Sequence, residues 1–205
     1  MGNIVISLAF VPSVMKTTYT DEIEHQRQRK DEYFASDPHS PIAPEQRDEA
    51  FPGLDYYPPD PDLRFELDLH EHDEKETITV ETTAEGRRDY LRWGEFRFEV
   101  EGEEVTIQAY KAAPDDDHRW VPFRDATSGD ETYGAGRYID LLDEHHRTPD
   151  GRWILDFNLA YNPTCAYNEA YECPLIPMEN WLEVPIHAGE RDYPGEPASA
   201  HHHNH

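Results

Sequence analysis

From Arg64 onward the apolar residues of this chain fall two apart, and that spacing restricts the fold more than any other feature. Phe65, Leu67 and Leu69 alternate with Arg64, Glu66, Asp68 and His70. Ile78 and Val80 follow the same rule, as do Phe96, Phe98 and Val100, then Val105, Ile107 and Ala109, and finally Leu182, Val184 and Ile186. Successive side chains of an extended chain point to opposite faces, so this period marks half-buried antiparallel strands. Further strands are expected at Trp120 to Arg124, Arg137 to Leu142 and Arg152 to Leu159, with turns at Glu85-Gly86 and Glu101-Gly102. Many short strands without a second helical pattern predict a mainly β fold, a single-domain antiparallel barrel or sandwich.

One helix precedes the strands. Thr20 is a good N-cap for a helix over about Asp21 to Phe34, with Asp21, Glu22 and Glu24 at its electropositive end. Its apolar stripe, Ile23, Tyr33 and Phe34, is narrow, so the helix should pack against the outside of the β structure. Pro38, Pro41 and Pro44 then enforce an extended connector. The length of 205 residues suits one domain. We place it over residues 15–192, with a doubtful N-terminal extension at 1–14 and a disordered His-rich tail at 193–205. Ile4 to Val14 is apolar but, at eleven residues, too short to span a bilayer. Met15-Lys16 reads as the true start. The tail His201-His202-His203-Asn204-His205 reads as a loose end rather than a metal site.

The densest run of chemistry lies between Phe123 and Glu190. It contains Phe123-Arg124-Asp125-Ala126-Thr127-Ser128-Gly129 and Glu131-Thr132-Tyr133-Gly134-Ala135-Gly136-Arg137. Asp156-Phe157-Asn158, Ala160-Tyr161-Asn162-Pro163, Cys165-Ala166-Tyr167-Asn168, Cys173-Pro174, Glu179-Asn180-Trp181-Leu182 and Ala188-Gly189-Glu190 follow. Weaker pieces stand upstream: Arg29-Lys30-Asp31-Glu32, Ser40-Pro41-Ile42 and Phe51 to Tyr57. Taken together, roughly residues 20 to 190 resemble domain-of-unknown-function family 1684, in its short form from archaea and bacteria. The family carries no established activity, so the resemblance implies neither substrate nor cofactor.

The residues themselves offer three readings. Arg124 and Arg137 bracket a glycine-rich loop, and a guanidinium fork suits a carboxylate or phosphate. With Tyr133 or Tyr167 as a wall and Asp156, Asn158 and Asn162 as orienting groups, they would bind a small anionic or polyhydroxylated molecule. Alternatively, Asp125, Glu131 or Asp156 would act as acid or base in a hydrolase-type enzyme. In the third reading the arginines pair internally with Asp125, Glu131 or Asp156, the run only locks the fold, and function lies on a partner surface. Cys165 and Cys173, eight apart, match neither a zinc ribbon nor a dithiol motif. They read as buried thiols in a tight turn, with a redox disulfide as the alternative. His70-Glu71-His72 has two-histidine spacing but lies on a solvated face, so no metal site is predicted.

Charge narrows the setting. Acidic residues number 44 against 18 basic ones, a formal net charge of −26, and only four of the basic residues are lysine. The acidic residues are spread along the chain, as suits a protein in molar salt, where the screening length falls to about 3 Å. A halophile with a salt-rich cytoplasm is the expected source. Secretion is the alternative if residues 1–14 belong to a signal peptide. Without a basic stripe to neutralise phosphates, nucleic acid and anionic membranes are not expected partners.

Overall fold

The computed structural model describes residues 12–199. Its centre is the hairpin of strands β4 (Arg87–Val100) and β5 (Glu103–Lys111). Glu101 and Gly102 turn it with φ of 53° and 88°, the double left-handed conformation of a two-residue hairpin loop. Val100 and Glu103 therefore stand directly opposite. At Gly94 the register slips by one residue, and a side chain there would stand 2.8 Å from the carbonyl oxygen of His70. On either side of that bulge β4 receives the short strands β2 (His70–Glu71) and β3 (Thr77–Glu81). Across β5 the sheet continues through β6 (His118–Phe123) to β7 (Arg137–Leu142).

A second antiparallel pair, β1 (Arg64–Leu67) with β8 (Trp153–Asp156), forms its own two-stranded sheet. Phe96, Ile107, Val121, Phe123 and Leu141 from the large sheet meet Leu155 and Phe157 in one core, and all seven are fully buried. Phe157 sits at its aromatic centre, edge-on to Phe123 at 5.2 Å and to Phe65 at 6.1 Å. The mainly β expectation therefore holds, in its sandwich-like rather than its barrel form. Among the described residues β7 does not close onto β2 or β3. Its outer edge instead bonds to Tyr161, through Tyr138 N–H to Tyr161 O at 2.9 Å and the reverse bond at 3.0 Å.

Three expectations are corrected. The helix, α1, spans Pro12–Ser36, so Thr20 lies inside it instead of capping it, and the predicted boundary at residue 14 falls within a helix. Residues 1–11 lie outside the described part. Leu182 to Ile186 bends at Glu183 and Val184 and forms no ladder: the Arg124 carbonyl accepts from Leu182 N–H at 2.7 Å, and Ala126 N–H donates to Val184 O at 3.1 Å. Its alternation still reports burial, because Leu182, Val184 and Ile186 all pack on the core. Residues 193–199 are tied down rather than loose. Tyr193 is buried against Tyr167, and Ala198 N–H donates to Tyr167 O at 2.9 Å. The histidines of the tail lie outside the described residues.

Packing of α1 on the outside agrees with the sequence. Ile23 and Phe34 are buried, whereas Tyr33 is exposed. The helix reaches the β structure mainly through polar side chains. Tyr19 donates to Asp156, Arg27 to Tyr57 O, and Lys30 to Glu190.

Candidate functional site

The glycine-rich loop brings Asp125 and Arg137 together, but as an internal fastening. Arg137 is fully buried beneath the face of Phe123, 5.0 Å from the ring centre. Its Nη1 donates to the carbonyls of Ala188 and Glu190, and its Nη2 to Ile186 O at 2.9 Å and Asp125 Oδ1 at 3.4 Å. Burial lowers its pKa and Asp125 opposes that shift, as expected of an enclosed ion pair. Asp125 also accepts from Ile186 N–H at 2.7 Å and from the hydroxyls of Thr127 and Ser128. Both side chains are fully enclosed and paired with each other, the arrangement of a structural fastening. Arg124 is half-buried over the indole of Trp181 at 4.4 Å, and its buried Nε finds no partner among the described residues. The two arginines thus do not converge.

Two other carboxylates singled out by the sequence are also taken. Both Asp156 oxygens accept from Tyr19, at 2.7 and 2.9 Å, and Oδ1 accepts from Asn158 N–H and its amide as well. Asp156 and Asn158 do not share a strand face. The chain turns into a 3-10 helix at Phe157–Leu159, which Asp156 caps. Asn158 instead stitches the Asp60 backbone, accepting from its N–H and donating to its carbonyl, each at 2.7 Å. Glu131 sits at the surface beside the Tyr57 hydroxyl, 3.1 Å away, and His187. Tyr133 points at Cys165, 3.7 Å from its sulfur. His72 is held by Gln108, and no cluster of three metal-ligating side chains occurs among the described residues.

Asn162 and Tyr167 converge on Glu190, which the sequence left without a role. Glu190 is 1% exposed. Its Oε2 accepts from Asn162 N–H at 2.8 Å and from the Tyr167 hydroxyl, and its Oε1 accepts from Lys30. Gly189 sets this carboxylate in place. Its φ is +76°, and a Cβ there would stand 2.7 Å from the carbonyl oxygens of Phe157 and Ala160. Gly189→Ala should destabilise the fold by about 2 kcal/mol or more, from left-handed strain plus overpacking. Denaturant unfolding would show this as a lower midpoint at unchanged slope.

Glu190 and Lys30 form one wall of a cavity of about 270 Å³ beneath α1. Gln26 and Arg27 from the helix, Tyr56 from the connector, and Asp140, His146, Asn158 and Tyr161 from the β structure complete it. Ile23, Gln26, His146 and Leu159 also border a second hollow, of about 680 Å³, that continues the cleft toward Tyr19 and Arg64. The carboxylates of the smaller cavity are occupied. Asp140 accepts from Tyr161 and, at 2.7 Å, from His118, while Glu190 carries the donors just described. Its donors are less fully used. Arg27 gives Nη1 to Tyr57 O and Nη2 to Asn158 O, but its buried Nε finds no partner among the described residues. The buried Tyr56 hydroxyl, whose ring the Arg27 guanidinium covers at 4.6 Å, has none there either. Burial raises the Tyr56 pKa, so this hydroxyl keeps its proton. His146 Nδ1 accepts from Leu142 N–H at 3.0 Å, so in the neutral ring Nε2 carries the hydrogen.

Two histidines give the site an opposed pH dependence. The bond to Asp140 raises the His118 pKa, whereas burial lowers that of His146. His118 therefore adds stability that is complete below about pH 6.5, the unfolded imidazole value, and is lost as pH rises through its folded pKa. His146 contributes the reverse: its share is present above that value and is lost as pH falls through its depressed folded pKa. From these two groups stability should peak near pH 6.5. Imidazole titration by NMR should place His118 above and His146 below that value, with Asp140→Asn bringing His118 back toward it.

No pattern in the sequence groups Gln26, Arg27, Tyr56, Asp140, His146 and Glu190, because they come together only in three dimensions. One signal was available. Lysine occurs only four times in the chain, and Lys30 is one of those four, inside a motif already noted.

Fold and site together define a small two-sheet β domain with a helix laid over a polar cavity. The chain belongs to the DUF1684 family, described as a protein of unknown function, whose model matches residues 49–191. Arg29-Lys30-Asp31-Glu32 and Ser40-Pro41-Ile42 fall outside that match. The chain is also similar to a solved NMR structure, the uncharacterized protein from gene locus rrnAC0354 of Haloarcula marismortui, a halophile. The identity is 38% and the TM-score 0.64, covering 86% of this chain and 95% of the other. No curated protein matches the chain.

Proposed function

We propose that this protein binds a small anionic molecule in the cavity beneath α1, in the salt-rich cytoplasm of a halophile. The observation that carries the reading is the imbalance of the wall: its carboxylates are satisfied, while Arg27 Nε and the Tyr56 hydroxyl are buried without partners. A buried unsatisfied donor costs about 1–3 kcal/mol, more when charged. A ligand carboxylate or phosphate would recover that cost at both atoms, with His146 Nε2–H and the Lys30 ammonium available to further oxygens. The net charge of −26 does not oppose this in molar salt, where only charges in near contact are felt.

The test is thermal unfolding in molar potassium chloride against a panel of carboxylates, phosphates and neutral polyols. A ligand at a hundred times its dissociation constant adds about 2.7 kcal/mol, or roughly 5–10 °C for a chain of this length. The anions should shift the midpoint and the neutral polyols should not. A shift from polyols alone would replace the anion reading with a polyhydroxylated ligand, and silence across the panel would remove the small-molecule reading.

A further inference from the structure

Cys165 and Cys173 lie away from the α1 cavity and are unused by the proposed binding role. Both are free and buried, and they stand in contact: the Cys165 N–H donates to Cys173 Sγ at 3.3 Å. The sulfur of Cys165 has a hydroxyl beside it, that of Tyr133 at 3.7 Å. Thr83 in turn accepts from Cys173 N–H at 3.1 Å, which fixes the cradle to the end of β3. Donors converging on one sulfur stabilise it as thiolate, the nucleophilic form. The direction of the shifts agrees. Cys173 and the hydroxyls lower the Cys165 pKa, while sharing its proton with Cys165 raises that of Cys173. Cys165, whose sulfur the Tyr133 hydroxyl faces, is therefore the attacker, and Cys173 gives up its proton.

We infer that Cys165 and Cys173 form a peroxide-reactive dithiol, with Cys165 as the attacking sulfur and Cys173 as the resolving one. The co-substrate is a small hydroperoxide. The Cys165 thiolate attacks the outer peroxide oxygen, the O–O bond breaks, and the leaving alkoxide or hydroxide takes up a proton. This leaves Cys165 as sulfenic acid. Cys173 then attacks the Cys165 sulfur, the S–O bond breaks, and the departing hydroxide leaves as water with the Cys173 proton. Two thiols and one hydroperoxide give one disulfide, one alcohol (water, for hydrogen peroxide) and one water. The bond would close the short loop carrying Tyr167, whose hydroxyl holds Glu190, so oxidation would act one residue contact from the cavity wall.

The experiment exposes the native full chain in molar potassium chloride to a few equivalents of hydrogen peroxide. Samples are then alkylated after denaturation and weighed, with peptide mapping to separate oxidation at the exposed Met178. The wild type should lose two hydrogens and take up no alkyl group, and should react faster folded than in urea. Cys173→Ser should instead stop at a sulfenic acid trapped by dimedone, and Cys165→Ser should stay reduced over the same period. Full alkylation of both cysteines in the peroxide-treated native wild type would overturn the inference. So would equal rates folded and unfolded, because the cradle would then contribute nothing.

Discussion

Replacing Arg137 with alanine is expected to cost about 3–5 kcal/mol, the usual penalty for breaking a buried ion pair. The guanidinium holds the carbonyls of Ile186, Ala188 and Glu190 and the carboxylate of Asp125, all at a fully buried position. Its removal orphans those acceptors and opens a cavity under Phe123. For a chain of this length the loss corresponds to roughly 6–20 °C in unfolding midpoint, measured in molar salt. Arg137→Lys should recover only part of it, because an ammonium cannot reproduce the planar fork that spans several carbonyls. A variant that folded with less than about 1 kcal/mol of loss but no longer bound anions would restore Arg137 as a ligand clamp.

The second large effect is expected at Glu190. Glu190→Ala removes the acceptor shared by Lys30, Tyr167 and Asn162 N–H and leaves all three donors facing a partly enclosed space. We expect about 3–5 kcal/mol of destabilisation and detachment of the 162–167 turn. Glu190→Gln keeps the size and one acceptor oxygen but turns an amide toward Lys30, so a loss of roughly 1–2 kcal/mol is expected. Urea unfolding of the two variants checks the ranking. Equal, small losses would show that the carboxylate is not the joint between α1 and the β structure.

The strands were legible because alternation is local. Phe96, Ile107 and Phe123 announce their buried faces from sequence alone, and Glu101-Gly102 announces its turn. The closure of the sheets was not legible, since it depends on which edges meet. The length of α1 was misread because Thr20 looks like a cap wherever it stands, and a cap is defined by the backbone before it. Arg137 shows the deeper limit. An arginine among glycines reads alike whether it faces a ligand or the carbonyls of a segment about fifty residues away in sequence. The cavity was illegible for the same reason: Arg27, Tyr56, His146 and Glu190 share no local pattern and meet only because α1 lies across the 3-10 turn after β8.

The most direct measurement is an NMR titration of nitrogen-15-labelled protein in molar potassium chloride. The titrant is the anion giving the largest thermal shift, and the readout is the arginine Nε–H resonances. The Arg27 Nε–H should move together with the amides of Asn158, Tyr161 and Glu190. Arg27→Met should weaken binding about tenfold or more, the value of a lost hydrogen bond to a charged group. Shifts confined to the Arg124 to Gly136 loop, with Arg27 unmoved and Arg27→Met binding as the wild type does, would contradict it.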